Sequence, residues 1–252
     1  MRAIRLITSS YNQRPTLDTA ISRVLLEHVS NGLEPETLRI YCPPDVVAFG
    51  PQDQRSPGYS SAISAAMKYG FTPIERLAGG RAAVFHSETI AFSWTIPSHI
   101  SPRGEVNERF EEIAAIVAAA LTKLGIDARI GEVAGEYCPG EHSVNAGGMK
   151  KIMGVGQRII KDGTHVGGVL VVDGAHKINE VLVPVYDALQ IPWDERATGS
   201  VKEEVQTATY DQVHESLITE FTSRYDLYKG YISQKLLNTA YRLEPEHRAM
   251  SS

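Results

Sequence analysis

A cysteine followed by proline and glycine, in Gly135-Glu136-Tyr137-Cys138-Pro139-Gly140, stands shortly ahead of the run Met149-Lys150-Lys151-Ile152-Met153-Gly154-Val155-Gly156-Gln157-Arg158. A thiol does covalent chemistry only as thiolate, and a nearby cation or base is what brings it to that form. Lys151 is such a cation, and the Cys-Pro-Gly segment is turn-prone enough to present the sulfur. The chemistry indicated is acyl transfer through a thioester, with Cys138 and Lys151 as the catalytic pair. Each residue also has a plainer reading. A free cysteine usually behaves as a small buried hydrophobe, and a lysine opening a strand is usually a solvated end residue. Lys150, Lys151, Arg158 and Lys161 nevertheless leave Met149 to Lys161 with only basic charges, a local field suited to an anionic ligand.

The second constellation is Arg76-Leu77-Ala78-Gly79-Gly80-Arg81-Ala82-Ala83-Val84-Phe85-His86. Paired glycines let backbone amides approach a ligand closely while the arginines supply positive charge. The alternative is a glycine hairpin turn with solvated arginines. His86 and His165 each border a strand beside glycine-rich sequence, and either holds a ligand or caps a sheet edge. Neither reads as a catalytic base. The remaining histidines lack the spacing of a metal site, and no Gly-x-Ser-x-Gly or P-loop pattern occurs.

The elements that must position these residues are legible in part. Arg2–Thr8 reads as a strand, and Leu17, Ile21, Val24, Leu25 and His28 repeat at helical spacing up to Asn31-Gly32. Leu38–Cys42 and Val46–Phe49 are β-rich runs around Pro43-Pro44-Asp45, expected to meet in one sheet as a hairpin or corner. Ser60–Lys68 reads as a helix, and Thr72–Arg76 and Ala82–Phe85 as strands flanking a glycine turn. Val106, Phe110, Ile113, Ile116, Val117, Leu121 and Leu124 form an apolar stripe closed by Gly125. Lys151–Ile160 and His165–Val172 are predicted to form a central hairpin through Lys161-Asp162-Gly163. Val213, Leu217, Phe221 and Tyr225 mark a further helix, and the polar tail from Glu244 is expected to fray. Hairpins mixed with helices in no regular βαβ order point to an α+β fold with a mixed, mostly antiparallel sheet. A Rossmann fold is disfavoured.

With 252 residues, 42% hydrophobic and 22% charged, the chain suits a single domain over 1–252, with a C-terminal helical extension from about residue 200. A formal charge of -5 argues against nucleic acid as a partner. Two distant cysteines, Cys42 and Cys138, supply no disulfide framework, which suits a reducing, cytoplasmic setting. No apolar run has the length of a membrane span.

Taken together, the segments resemble the family of lipoate-protein ligases and octanoyl or lipoyl transferases. Its Arg-x-x-Gly-Gly-x-Ala-Val loop corresponds to Arg76–Val84, and its Lys-Ile-x-Gly-x-Ala-Gln-Arg run to Lys151–Arg158. The resemblance extends to Val46–Gly50 ahead of Gln52-Asp53, to the helix around Asp18 and to His165–Leu170, roughly Leu17 to Val172 in all. Tyr137–Gly140 is most similar to the octanoyl-(glycine-cleavage H protein) amidotransferases, in which the cysteine carries the acyl group. Three departures stand out: Ala78, Arg81 and Ala82 replace glycine and serine, Gly156 replaces alanine, and Ser87 replaces an acid.

The resemblance implies a biotin/lipoate-protein-ligase-like catalytic domain that moves an octanoyl or lipoyl group through a Cys138 thioester to a lysine of a lipoyl domain. Lys151 would polarise the carbonyl. Arg76, Gly79, Gly80, Arg81, Ala82, His86, Gly154 and His165 would line the acyl site, with no metal and no cofactor. The implied partners are lipoyl domains of 2-oxoacid dehydrogenases and the glycine-cleavage H protein, as donor or acceptor. The alternative is an ATP-dependent lipoate-protein ligase, using ATP and Mg, in which Lys151 contacts an acyl-adenylate. A third reading is a non-catalytic binder of an acyl chain or carrier.

Overall fold

Two sheets of unequal size collect the β-rich runs. The computed structural model describes residues 1–99 and 106–250. The first half contributes β1 (Ala3–Ile7), helix α1 (Leu17–Ser30), β2 (Thr37–Tyr41), β3 (Val46–Phe49), α2 (Tyr59–Lys68), β4 (Thr72–Glu75), β5 (Ala83–Phe85) and β6 (Thr89–Pro97). The chain continues through α3 (Val106–Lys123), β7 (Ala128–Ile130), β8 (Val144–Ala146), β9 (Lys150–Ile160), β10 (Gly163–Val171) and α4 (Ala175–Leu189). It closes with α5 (Val201–Glu204), α6 (Tyr210–Arg224), β11 (Asp226–Lys229) and α7 (Gln234–Leu243).

The larger sheet has the order β11-β1-β2-β6-β10-β9-β8-β7, and the smaller β4-β3-β5. Pairing is antiparallel except β1 with β2 and β11, and β3 with β4, so the α+β reading with a mostly antiparallel mixed sheet holds. The hairpin through Lys161-Asp162-Gly163 forms as expected, with Ile160 opposite Gly163, and is central. Beside it runs β6, which the sequence analysis did not identify. Its Ile90, Phe92, Trp94 and Ile96 alternate into a core shared with Ile113 and Val117 of α3 and Leu217 and Phe221 of α6. On its other face the Ser93 hydroxyl meets Ser22 of α1. Burial on both faces is what fixes such a strand at the middle of a sheet.

Two expectations about turns are corrected. Pro43-Pro44-Asp45 does not join partners in one sheet, since β2 pairs with β1 and β6 while β3 pairs with β4 and β5. Prolines bring no N–H to a ladder, and here they carry the chain between sheets. Nor is Gly79-Gly80 a hairpin turn. β3 lies between β4 and β5, parallel to one and antiparallel to the other, so residues 76–82 form a wide loop with no opposing strand to occupy its amides.

The tail is also corrected. Glu244 is buried, accepts from the Thr16 hydroxyl at 2.9 Å and pairs with Arg14, while Arg248 bridges to Ile74 of β4. The polar residues after Leu243 have buried partners, and this is why the segment docks. Ser251 and Ser252 lie outside the described residues. From residue 200 the described chain carries α5, α6 and α7 joined by loops, together with β11, which pairs in parallel with β1 as the sheet edge. Among the described residues no helix is long and apolar enough to cross a membrane.

Glu244→Ala leaves Thr16 and Arg14 without their acceptor and should lower unfolding stability by about 1–3 kcal/mol, read by denaturant titration. An unchanged midpoint would show that the docked tail contributes nothing.

Candidate active site

The loop between β7 and β8 carries Cys138, and a buried carboxylate organises it. Glu136, 3% exposed, accepts the Val133 amide at 2.9 Å, the Gly140 amide at 3.1 Å and the Ser143 hydroxyl at 2.6 Å. It also pairs with Lys151 Nζ at 2.9 Å. Lys151, 1% exposed, donates further to the carbonyls of Tyr137 at 2.9 Å and Cys138 at 2.7 Å. An ammonium has three N–H donors, and all three are engaged. Lys151 is therefore no solvated strand end. The structure brings it to the backbone of the cysteine, not to the sulfur.

Cys138 adopts φ 43°, left-handed for a residue with a side chain, a conformation that costs roughly 1–2 kcal/mol. It is held from both sides. Its carbonyl accepts from Lys151, and its amide donates to the Tyr186 hydroxyl of α4 at 2.9 Å. The same hydroxyl donates to the Ala82 carbonyl at 3.0 Å.

Two groups from the wide glycine loop reach the sulfur. Arg76 Nη2 and the Arg81 amide each lie 3.3 Å from Cys138 Sγ. Gly80, at φ +104°, fits between them: an added Cβ would stand 2.0 Å from Arg76 Nη2 and 2.9 Å from Sγ. Gly50 lies beneath, where a Cβ would fall 1.8 Å from the Gly80 carbonyl oxygen. Asp53, fully buried, accepts the Gly50 amide at 2.9 Å and faces Arg81 Nη1 at 3.4 Å, which anchors the loop from below. Burial opposes ionisation of Cys138, but the charges of Arg76 and Lys151 and the hydrogen bonds from Arg76 and the Arg81 amide outweigh it. The thiol is held below its ordinary range.

From the sulfur a cavity of about 110 Å³ runs between the sheets, lined by Arg76, Cys138, Lys151 and Gly154 at one level and by apolar Val46, Ile74, Leu77, Phe85, Phe92 and Val169. His165 lines it too. Burial, reinforced by the Arg39 charge, pushes the His165 pKa down to about 4, so the ring is neutral at neutral pH. Arg39, fully buried, pairs with Asp18 of α1, another lining residue.

The structure thus gathers Arg76, Gly80, Arg81, Gly154 and His165 around the thiol and cavity. Gly79 backs onto Gly156, and Ala82 contributes its carbonyl to Tyr186. His86 is elsewhere: it lines no part of the cavity, and its Nδ1 accepts the Glu88 amide in the turn before β6. That turn leads away from the cavity, which explains the misplacement. Glu136 and Tyr186 were missed. Glu136 precedes the cysteine by two positions, and an acid so close to a candidate nucleophile was the signal that could have found it. Tyr186 had no local signal. Among the described residues no cluster of His, Cys, Asp and Glu is placed to hold a metal ion.

This architecture is that of the lipoate-protein ligases. A lipoate-protein ligase A bound with ATP superposes with TM-score 0.80 at 21% identity, covering 98% of this chain and 95% of the other. The lipoic-acid-bound lipoate protein ligase Ta0514 of T. acidophilum gives 0.73 at 21% identity, with 97% and 95% coverage. Residues 14–222 match the model of the lipoyl protein ligase A/B catalytic domain, and the chain belongs to that family. Among curated proteins, an octanoyl-GcvH:protein N-octanoyltransferase of Geobacillus kaustophilus is 30% identical over 156 residues, 62% of this chain and 54% of the relative. One of that name from an Exiguobacterium strain is 27% identical over 185 residues, 73% and 57%. The chain spans about half the length of these relatives.

Alkylation of Cys138 should show a pH midpoint below the value of about 8.5 usual for a free thiol. Arg76→Met should move that midpoint upward. A native midpoint at or above the usual value would remove the electrostatic account of the site.

Proposed function

We propose that this chain is a cysteine-dependent acyltransferase that moves an octanoyl or lipoyl group from one carrier lysine to another, with lipoyl domains and the H protein as partners. The observation that carries this is the thiol of Cys138, held at 3.3 Å by Arg76 and by the Arg81 amide at the head of an apolar cavity. The relatives named above, acting between GcvH and another protein, support it. So does the family membership.

In the first step the Cys138 thiolate attacks the acyl carbonyl of the donor. A C–S bond forms, the C–N bond of the donor amide breaks, and the amine leaves after taking a proton from water. In the second, the neutral amine of an acceptor lysine attacks the thioester, the C–S bond breaks, the thiolate returns, and the nitrogen's surplus proton passes to the hydroxide left by the first step. One amide is exchanged for another, so neither nucleotide nor metal is required. Free thiols at Cys42 and Cys138 suit such chemistry in the cytoplasm.

The oxyanion formed in each step needs donors, and the backbone at the cysteine is engaged. The Cys138 amide is engaged by Tyr186, Pro139 has no N–H, and the Gly140 amide is engaged by Glu136. Beside the Arg81 amide, Arg76 is the donor at the sulfur, with its Nε buried and without a partner. It serves the thiolate first and the oxyanion next. Lys151, its donors taken, acts by holding the loop and by its field. That same saturation counts against the ATP-dependent ligase, which would need Lys151 free for a carboxylate and phosphate.

Incubation with an octanoylated H-protein domain without ATP should give a hydroxylamine-labile octanoyl adduct by intact mass on the native chain and none on Cys138→Ser. Arg76→Met should slow its formation about 100-fold. Modification of an acceptor domain only with ATP and free lipoate would establish the ligase instead, and silence in both assays the binder.

A further inference from the structure

We infer that Tyr186 is a positioning residue for acyl transfer: its hydroxyl fixes the Cys138 loop at a set distance from the glycine loop that brings Arg76 and the Arg81 amide to the sulfur. This rests on the acyl-transfer reading of the site. The two loops are far apart in sequence and belong to different sheets. Every polar contact to Cys138 Sγ described above crosses the seam between them, and the Tyr186 hydroxyl spans it. It accepts the Cys138 amide at 2.9 Å on one side and donates to the Ala82 carbonyl at 3.0 Å on the other, which uses its single proton and one lone pair.

The helix that carries the phenol is anchored on a third element besides the two loops. Tyr186 is fully buried on α4, whose Val181, Leu182, Val185 and Leu189 pack into a core with Ala62 and Ile63 of α2. Its ring packs on Trp193 with centroids 5.4 Å apart, and Trp193 also meets Tyr137 edge-on at 6.3 Å. One buried helix thus serves as the common reference for both loops. Burial and the neighbouring thiolate hold the phenol protonated, so its proton remains available to Ala82. By taking the Cys138 amide it also secures one side of the left-handed backbone that points Sγ at the cavity, while Lys151 secures the other. Loss of the hydroxyl lets the seam open, and contacts already at 3.3 Å lengthen beyond hydrogen-bond range.

Full-length Tyr186→Phe keeps the ring and removes only the bridge. The expected result is an alkylation midpoint raised by about one pH unit, a tenfold loss of thiolate below it. With that should come a kcat for transfer from an octanoylated H-protein domain at least tenfold lower and a KM within twofold of native. A merely structural role would lower the unfolding midpoint and leave the alkylation profile in place. An unmoved profile in folded Tyr186→Phe therefore overturns the proposal. Alkylation needs no acyl donor, so absence of an octanoyl adduct on the native chain overturns instead the reading on which the proposal rests. Should the variant not fold, hydrogen exchange in the native chain decides: the Cys138 amide should be protected at least tenfold relative to an unstructured peptide, and free exchange there overturns the bridge.

Discussion

The buried pair of Glu136 and Lys151 is the interaction on which the site depends. Neither charge is exposed, and each is tolerable there only because its partners are complete: Lys151 has one carboxylate and two carbonyls, while Glu136 receives two amides, a hydroxyl and the ammonium. Removing one member of such a pair leaves an uncompensated buried charge, which costs about 3–5 kcal/mol. The pair therefore dictates the path of the chain from Val133 to Ser143. It also places Cys138 in a backbone conformation that a side-chain-bearing residue would not keep unaided.

To the sulfur the pair lends only the field of Lys151, and the groups that touch it come from the second sheet. Because β3 separates β4 from β5, the chain between Arg76 and Ala82 has to travel around it as a wide loop. That detour brings a guanidinium and a backbone amide to the thiol. Gly80 and Gly50 are required by contact: at both, any side chain would collide with the atoms that hold the loop against the cysteine. The site is a seam between two loops, each fixed by its own sheet and both referred to α4.

Several of these features were legible before any coordinates. The long helix of Val106, Ile113, Val117 and Leu121 and the Asp162-Gly163 hairpin formed as their periodicity and turn chemistry required. Cys138 and Arg76 could be singled out as chemistry-bearing residues. The failures share a cause. The Pro43-Pro44 crossing and the Gly79-Gly80 loop depend on which strands pair, and a run of β-rich residues does not name its partner. His86 was placed in the site because it sits next to a ligand-loop motif in sequence, whereas its turn leads toward α4 at Gly174. The tail after Leu243 reads as polar and loose because its partners, Arg14, Thr16 and Ile74, are remote in sequence.

The sequence alone determined several of the elements, the Val106 helix and the Asp162-Gly163 hairpin among them, because helical and strand periodicity and turn chemistry act within a few residues. It also pointed to the candidate site groups, because a thiol, an arginine and a glycine pair announce themselves by type. Tertiary structure alone decided their roles. Lys151 reads as a free cation until Glu136 and two carbonyls occupy it. Arg76 reads as a ligand-loop charge with no stated target until the detour around β3 sets it on the sulfur. Tyr186 carries no sequence signal, and only its hydroxyl's place between Cys138 and Ala82 brings it to the site. Saturation of donors and distance to a sulfur are properties of packed neighbours, and no local pattern carries them.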